Sequence, residues 1–190
     1  MRRVTTHQVD PASGCAAEGP AIFTLGYSTR TLTAVIELLN ANNVDLLVDV
    51  RTVPHSRYNP EFGRDALAVS LPSAGIDYRH EADLGGLRRP RPDSLNGAWR
   101  NESFRGFADY MQTTQFSQAL SALLVLGRDR RIALMCAEGN PFRCHRSLIA
   151  DALAARGITS CEIVSSGKAK AHRVTPFARS EGQAVTYPPQ

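Results

Sequence analysis

Short and almost uninterrupted apolar runs alternate along this chain with segments whose apolar residues recur every three to four positions. The clearest runs are 21–25, 44–50, 131–136 and 160–164, and a weaker one covers 76–80. Continuous apolar character is typical of strands that are buried on both faces of a parallel sheet. Strands that alternate with helices form right-handed βαβ units. The pattern therefore predicts an α/β fold with one mostly parallel sheet flanked by helices.

Helical spacing is found between these runs. Thr31 is a predicted N-cap, residues 65–71 suit a short helix, and the spacing over 104–126 predicts one long helix. A last helix is predicted over 145–156, where Gly157 ends it. These segments supply the helices of the predicted βαβ units.

The remaining segments lack regular periodicity. Residues 1–19 are interpreted as a flexible tail, residues 20–187 as a single α/β domain, and residues 167–190 as irregular chain. Residues 51–75 and 84–101 are rich in turn formers and predict long irregular loops after strands. Loops of that length in a small domain are usually functional or mobile.

The basic residues are unusual in type. Only Lys168 and Lys170 are lysines, so the other twenty of the 22 basic residues are arginine, and the net charge is +4. Arginine offers a planar fork for phosphate and for base edges. Codon bias in a GC-rich genome explains the same composition equally well. The charge therefore favours a nucleic-acid partner only mildly.

No apolar run is long enough to span a bilayer. The first residues contain no apolar stretch that would serve as a signal peptide. The four cysteines lack the spacing of a disulfide framework. We therefore expect a cytoplasmic protein with no membrane partner, and the sequence suggests no cofactor.

The loop 136–146 carries most of the candidate chemistry. It follows a buried strand and opens a helix, the position where parallel sheets bind ligands and helix N-termini attract anions. Arg143 and Arg146 add positive charge, which would favour ionisation of a nearby thiol. In a first interpretation of this loop, Cys136 is a nucleophile, as the loop cysteine is in tyrosine phosphatases and rhodanese-type sulfurtransferases. However, six residues separate Cys136 from Arg143, one more than in phosphatase loops.

Two other interpretations of this loop stay open. Glu138 and Asp49 can supply the chemistry, with His145 assisting, while Cys136 is structural. Cys136 can also be merely a small buried apolar residue at a strand end.

The same loop also contains residues of the types that bind zinc. Cys136, Cys144 and His145 are enough ligands in number. However, Cys144 and His145 are adjacent and the chain has no CxxC pair. The spacing therefore predicts no metal site.

A second group of residues follows the strand 44–50. Asp49 and Arg51 project to the same side because strand side chains alternate. Asp49 can activate water there, or it can simply form a salt bridge that anchors the loop. Tyr27, at the end of the first strand, and Arg57 are candidate substrate-binding neighbours.

Basic residues in two further segments are candidates for contacts with phosphate. Arg88, Arg89 and Arg91 lie in a glycine-containing loop that suits a nucleic-acid backbone, although a solvated loop has the same composition. In the last segment Lys168, Lys170 and His172 can extend the anion site.

Several of these motifs occur together in one known family. They are TLGYS at 24–28, DVR at 49–51, LGG at 84–86, LMCAE at 134–138, CHR at 144–146 and TPFA at 175–178. In this order they resemble the family called domain of unknown function 488, over roughly residues 20–187. The resemblance implies an α/β fold with a site built from the motif residues, and a link with nucleic-acid maintenance.

The sequence therefore favours an enzyme that acts on nucleic acid, expected to be DNA. The expected reaction is that of a DNA glycosylase, which cleaves the N-glycosidic bond of a modified base with carboxylate assistance. The alternative is a thiolate enzyme that acts on a small phosphate or sulfur compound through Cys136. A third hypothesis is a nucleic-acid-binding module without catalysis.

Overall fold

The computed structural model describes residue 15, residues 19–165 and residues 169–189. At its centre is a six-stranded sheet of β1 Ala21–Gly26, β2 Leu46–Asp49, β3 Asp77–His80, β4 Arg131–Cys136, β5 Ser160–Ile163 and β6 Lys170–Ala171. The strand order is β3-β2-β4-β1-β5-β6, and every pairing is parallel except that of β5 with β6. The predicted α/β fold with a mostly parallel sheet is confirmed.

Five α-helices flank the sheet: α1 Leu32–Ala41, α2 Arg64–Ser73, α3 Glu102–Tyr110, α4 Thr114–Leu126 and α5 Arg146–Ala154. Short 3-10 turns cover Pro60–Phe62, Ala82–Leu84 and Pro141–Arg143. Thr31 caps α1 as predicted, because its hydroxyl accepts from the Ala34 amide at 3.2 Å.

Apolar side chains on both faces of the sheet explain the uninterrupted apolar runs. In β4, Ile132 and Leu134 face a core shared with α3, α4 and α5, whereas Ala133 and Met135 face a core shared with α1 and α2. All four side chains are buried. Each face of the sheet therefore has its own layer of helices, and ligands have access mainly at the ends of the strands.

The single helix predicted over 104–126 is wrong, because the chain forms α3 and α4 with a turn between them. Thr113 lies in that turn, and its hydroxyl accepts from the Phe116 amide at 3.2 Å. An N-cap of this kind starts a new helix. The turn brings Phe107 of α3 and Phe116 of α4 into edge contact, with ring centroids 5.9 Å apart.

The prediction of irregular structure after residue 167 is also wrong. Besides β6, this segment forms a hairpin of β7 Arg179–Glu181 and β8 Ala184–Thr186. Strands of two or three residues are too short to show a period-two pattern. The segment also contributes Val185 and Tyr187 to the core.

A disulfide joins Cys15 to Cys161 of β5. Cysteine spacing does not reveal this pair, because 146 positions separate the two residues in the sequence. Disulfides are rare in reducing compartments, so this pair does not support the expected cytoplasmic location. Cys136 and Cys144 are free thiols.

Among the residues that the structure describes, none of the helices combines the length and the apolar character required to cross a membrane.

Candidate functional site

A cavity of about 330 Å³ opens at the carboxyl ends of the central strands. Cys136 ends β4, Gly26 pairs with it at the end of β1, and β2 ends beside them at Asp49. The side chains around the cavity include Tyr27, Arg51, His55, Phe104, Cys136, Glu138, Arg143, Cys144 and His145. Of the candidate residues Asp49, Arg51, Cys136, Glu138 and His145, which follow two strands of the sheet, all except Asp49 line this one cavity.

The loop after β4 is held against the end of β1 by backbone contacts. The Tyr27 amide donates to the Cys136 carbonyl at 3.1 Å, and the Ser28 amide donates to the Ala137 carbonyl at 2.9 Å. Gly26 allows this approach, because a Cβ at that position would lie 2.0 Å from the Glu138 carbonyl oxygen. The end of β1 therefore sets the position of the Glu138 backbone.

The Glu138 side chain is solvent-exposed, and its own loop orients it. One carboxylate oxygen accepts from the Asn140 amide at 2.8 Å. The Asn140 side chain in turn accepts from the Phe142 amide at 3.0 Å. Glu138 therefore presents an ordered carboxylate to the cavity.

Two thiols and an imidazole come together in the cavity wall. Cys136 Sγ, Cys144 Sγ and one ring nitrogen of His145 all lie within 4.8 Å of one another. The Cys144 sulfur is 3.7 Å from His145 Nδ1. His145 Nε2 donates to the Val50 carbonyl at 3.1 Å, which leaves Nδ1 as the nitrogen that faces the thiols.

Arg146 lies behind the thiols and is fully buried. Its Nε donates to Cys144 Sγ at 3.2 Å, and its terminal nitrogens donate to the Glu138 carbonyl at 2.6 Å and to Glu162 Oε1 at 3.3 Å. Thr24 also donates to the Glu162 carboxylate. The buried cation therefore has both a carboxylate and a sulfur as partners.

The two thiols differ in acidity. The hydrogen bond that the Cys136 thiol donates to Cys144 lowers the pKa of Cys144, and the neighbouring His145 and Arg146 lower it further against the opposing effect of burial. The same hydrogen bond, together with burial, raises the pKa of Cys136. Cys144 is therefore the more acidic of the two thiols, whereas the sequence indicates Cys136 as the candidate nucleophile.

Asp49 is fully buried and paired. Arg51 Nε donates to Asp49 Oδ1 at 2.8 Å, and the Tyr78 hydroxyl donates to Oδ2 at 3.0 Å. Arg51 also donates to the Phe62 carbonyl at 2.7 Å. The arrangement matches the salt-bridge interpretation of Asp49 and does not support a catalytic role for it.

The other predicted phosphate contacts are dispersed. Arg88 stacks over the Tyr110 ring at 3.7 Å, and Arg91 pairs with Asp93 at 2.9 Å. Arg57 and Arg89 are exposed and lie outside the cavity lining. Lys168 lies outside the described residues.

Lys170 and His172 line a second cavity of about 750 Å³ on the other side of Arg146. His172 Nε2 lies 2.7 Å from Asp151 Oδ1, and Glu162 also contributes to the lining. The structure therefore separates His172 from the cavity that contains Glu138. Arg146 lines this second cavity and contacts Cys144 of the first.

Two residues that line the cavities, Cys144 and Glu162, have no catalytic role in the predictions made from the sequence. Cys144 belongs to the motif CHR at 144–146, and this motif is the sequence signal that could have identified its role. Glu162 gave no signal, since it lies in an apolar strand and meets Arg146 only in the folded chain.

The model of the family described as domain of unknown function DUF488 matches residues 31–153, about two thirds of the chain. The match includes Asp49, Cys136, Glu138 and Cys144, and it excludes Tyr27. No match to this chain was found among curated proteins or among solved structures.

Proposed function

Because this chain belongs to the DUF488 family, whose description names no reaction, we propose a function from the cavity itself. The protein is a hydrolytic enzyme that acts on a base of a nucleic acid, and DNA is the expected polymer. The observation that carries this proposal is that Glu138 is the one carboxylate among the described residues that line the cavity. A positioned carboxylate can activate water or stabilise a developing positive charge.

The size and walls of the cavity suit a base. Its volume of about 330 Å³ falls in the range of small-molecule sites. Tyr27, His55 and Phe104 supply aromatic surface, and the exposed Arg143 supplies a cation for phosphate. An enzyme that acts on a base within a duplex must first extrude it into such a pocket.

The expected reaction is hydrolysis of the N-glycosidic bond. The oxygen of a water molecule bonds to C1′ of the sugar as the bond from C1′ to the base breaks. Glu138 accepts the proton of that water, and the departing base nitrogen takes a proton from solvent. This proposal assigns no catalytic role to Asp49.

A thiolate enzyme is the second candidate. The contact that favours it is the hydrogen bond from Arg146 Nε to Cys144 Sγ at 3.2 Å. In that case Cys144, with Cys136 beside it, would attack a small phosphate or sulfur compound. The carboxylate proposal is preferred because the Cys136–Arg143 spacing departs from phosphatase loops and Cys144 is only 3 % exposed.

The test uses the full chain and duplex oligonucleotides, each with one modified base. We expect binding that weakens at least roughly tenfold between 50 and 200 mM salt, since phosphate contacts release counterions. We expect strand breaks after alkali treatment for at least one modified base. Arg143→Ser should weaken binding, whereas Arg128→Ser, at the opposite end of the sheet, should not.

The outcomes separate the hypotheses. Undetectable or salt-insensitive binding would remove the nucleic-acid proposal. Binding without base release would leave a binding module. Turnover of a small phosphate or sulfur compound that is lost in Cys144→Ser and kept in Glu138→Gln would establish the second candidate instead.

A further inference from the structure

We infer that Cys136, Cys144 and His145 form a binding site for zinc, or for another divalent metal with the same preference for sulfur and imidazole. The donor atoms already lie close to the required spacing. Around a tetrahedral zinc, donors are roughly 3.5–3.8 Å apart, given bonds of about 2.3 Å to sulfur and 2.0 Å to nitrogen. Here all three lie within 4.8 Å of one another, and Cys144 Sγ is 3.7 Å from His145 Nδ1. Shifts of about 1 Å or less would close the site around an ion.

The imidazole is held in the orientation of a metal ligand. Its Nε2 donates to the Val50 carbonyl at 3.1 Å, so Nδ1 carries the lone pair that faces the sulfurs. Metal-binding histidines characteristically donate their other nitrogen to a carbonyl or carboxylate in this way. Phe107 packs edge-on against the ring at 5.0 Å, which restricts its rotation.

The charges around the cluster also suit a divalent cation. Two thiolates and one divalent ion sum to zero, so the ion would leave no net charge at this partly buried position. Arg146 donates to Cys144 Sγ from behind, and its own charge is matched by Glu162. The cation of Arg146 is therefore already neutralised before a metal enters.

The site has three protein ligands among the described residues and opens into the cavity that Glu138 lines. Three ligands with an open fourth position are typical of catalytic zinc, whereas structural zinc takes four. Zinc enzymes that modify bases activate water in a similar environment. Their zinc has one His and two Cys ligands, and a nearby glutamate does not bind the ion. This metal site shares the cavity of the proposed function but does not depend on that function.

The experiment measures metal directly and needs no substrate. The full chain is purified in metal-free buffer, loaded with Zn²⁺ and gel-filtered, and zinc per chain is measured by mass spectrometry. About one equivalent is expected. Loading with Co²⁺ should give sulfur-to-cobalt charge-transfer absorption and the visible bands of a tetrahedral ion. This second measurement uses the unaltered chain, so it does not depend on whether a variant folds.

Variants then locate the ion. Cys144→Ser and His145→Gln should each weaken zinc affinity by more than the roughly 10- to 100-fold that loss of an outer hydrogen-bond partner costs. His55→Gln, which alters a histidine of the same cavity outside the cluster, should retain affinity. Far less than one equivalent of both metals, or full binding by the folded Cys144→Ser variant, would overturn the inference. Metal binding without hydrolysis of the N-glycosidic bond would reject the proposed function but would still support the metal site.

Discussion

Arg146 shows at the scale of one residue why this site is organised as it is. The side chain has no solvent exposure, yet its guanidinium contacts Cys144, Glu162 and the Glu138 backbone. A buried cation is tolerated only when such partners replace water. Arg146 therefore fixes the Cys144 sulfur and the Glu138 loop at the same time.

Replacing the Arg146 cation should lower the stability of the fold. Arg146→Met leaves Glu162 buried without its cation, so we expect the free energy of unfolding to fall by about 3–5 kcal/mol. Arg143→Met, an exposed arginine of the same loop, should change it by less than about 0.5 kcal/mol. Urea denaturation of both variants tests this difference. Equal stability of the two variants would mean that the Arg146–Glu162 pair contributes nothing.

The two candidate carboxylates should respond to substitution in opposite ways. Glu138→Gln alters an exposed side chain and should leave stability within about 0.5 kcal/mol. It should lower the rate of N-glycosidic bond hydrolysis by roughly 10²- to 10⁴-fold, the usual contribution of a general base.

Asp49→Asn should instead destabilise the fold by about 3–5 kcal/mol, because it breaks the buried pair with Arg51. Rates measured below its unfolding transition should stay close to those of the unaltered chain. A folded Asp49→Asn protein without activity would contradict this assignment.

Sequence alone could predict part of this site. Alternation along β2 was sufficient to place Asp49 and Arg51 on one side, and the strand–loop–helix pattern was sufficient to find Glu138. It could not show that Asp49 is buried, because burial depends on neighbours such as Tyr78 of the next strand. The adjacency of Cys144 and His145 in the sequence also counted against a metal site. That adjacency does not reveal that the folded backbone brings both side chains close to Cys136.

At the scale of elements, α3 lies unusually close to the loop that contains the LGG motif. A Cβ added at Gly106 would lie 2.3 Å from the Arg88 carbonyl oxygen. This contact places α3 beside the cavity, where Ser103 and Phe104 contribute to the lining. Helix propensity and packing therefore conflict at Gly106.

Gly106→Ala decides which effect is larger. Alanine should gain about 1 kcal/mol in helix propensity, but overpacking costs about 1–3 kcal/mol and here the obstacle is backbone. We expect net destabilisation. Gly127→Ala is the matched control: its Cβ would meet Ile22 at an ordinary 3.4 Å, so stability should stay constant or rise by up to about 1 kcal/mol. Thermal unfolding compares the two, and a stabilised Gly106→Ala variant would contradict this explanation.

The sequence predicted the central strands well because each is buried on both faces and therefore apolar throughout. It failed where a few residues decide the structure. A single cap at Thr113 divides the segment 104–126, and periodicity over so long a window obscures it. The hairpin of β7 and β8 has too few residues to form a pattern.

At the scale of the whole molecule, the Cys15–Cys161 disulfide ties the start of the described chain to β5 across 146 positions. A cross-link that closes so long a loop restricts the unfolded chain, so reduction should lower the free energy of unfolding by about 2–4 kcal/mol. Urea titrations with and without reductant measure this effect. The Cys15→Ser/Cys161→Ser variant should be insensitive to reductant. An unaltered chain that is equally insensitive would exclude a stabilising disulfide.

The position of Arg146 between the two cavities has a thermodynamic consequence. A ligand in the second cavity that competed for Glu162 would change how firmly Arg146 is held, and with it the position of Cys144. Linkage between two binding sites is reciprocal. If this ligand changed the affinity of the first cavity for its own ligand by some factor, an occupant of the first cavity would change the affinity of the second cavity by the same factor. Two binding equilibria of one small domain would then be joined through a single guanidinium.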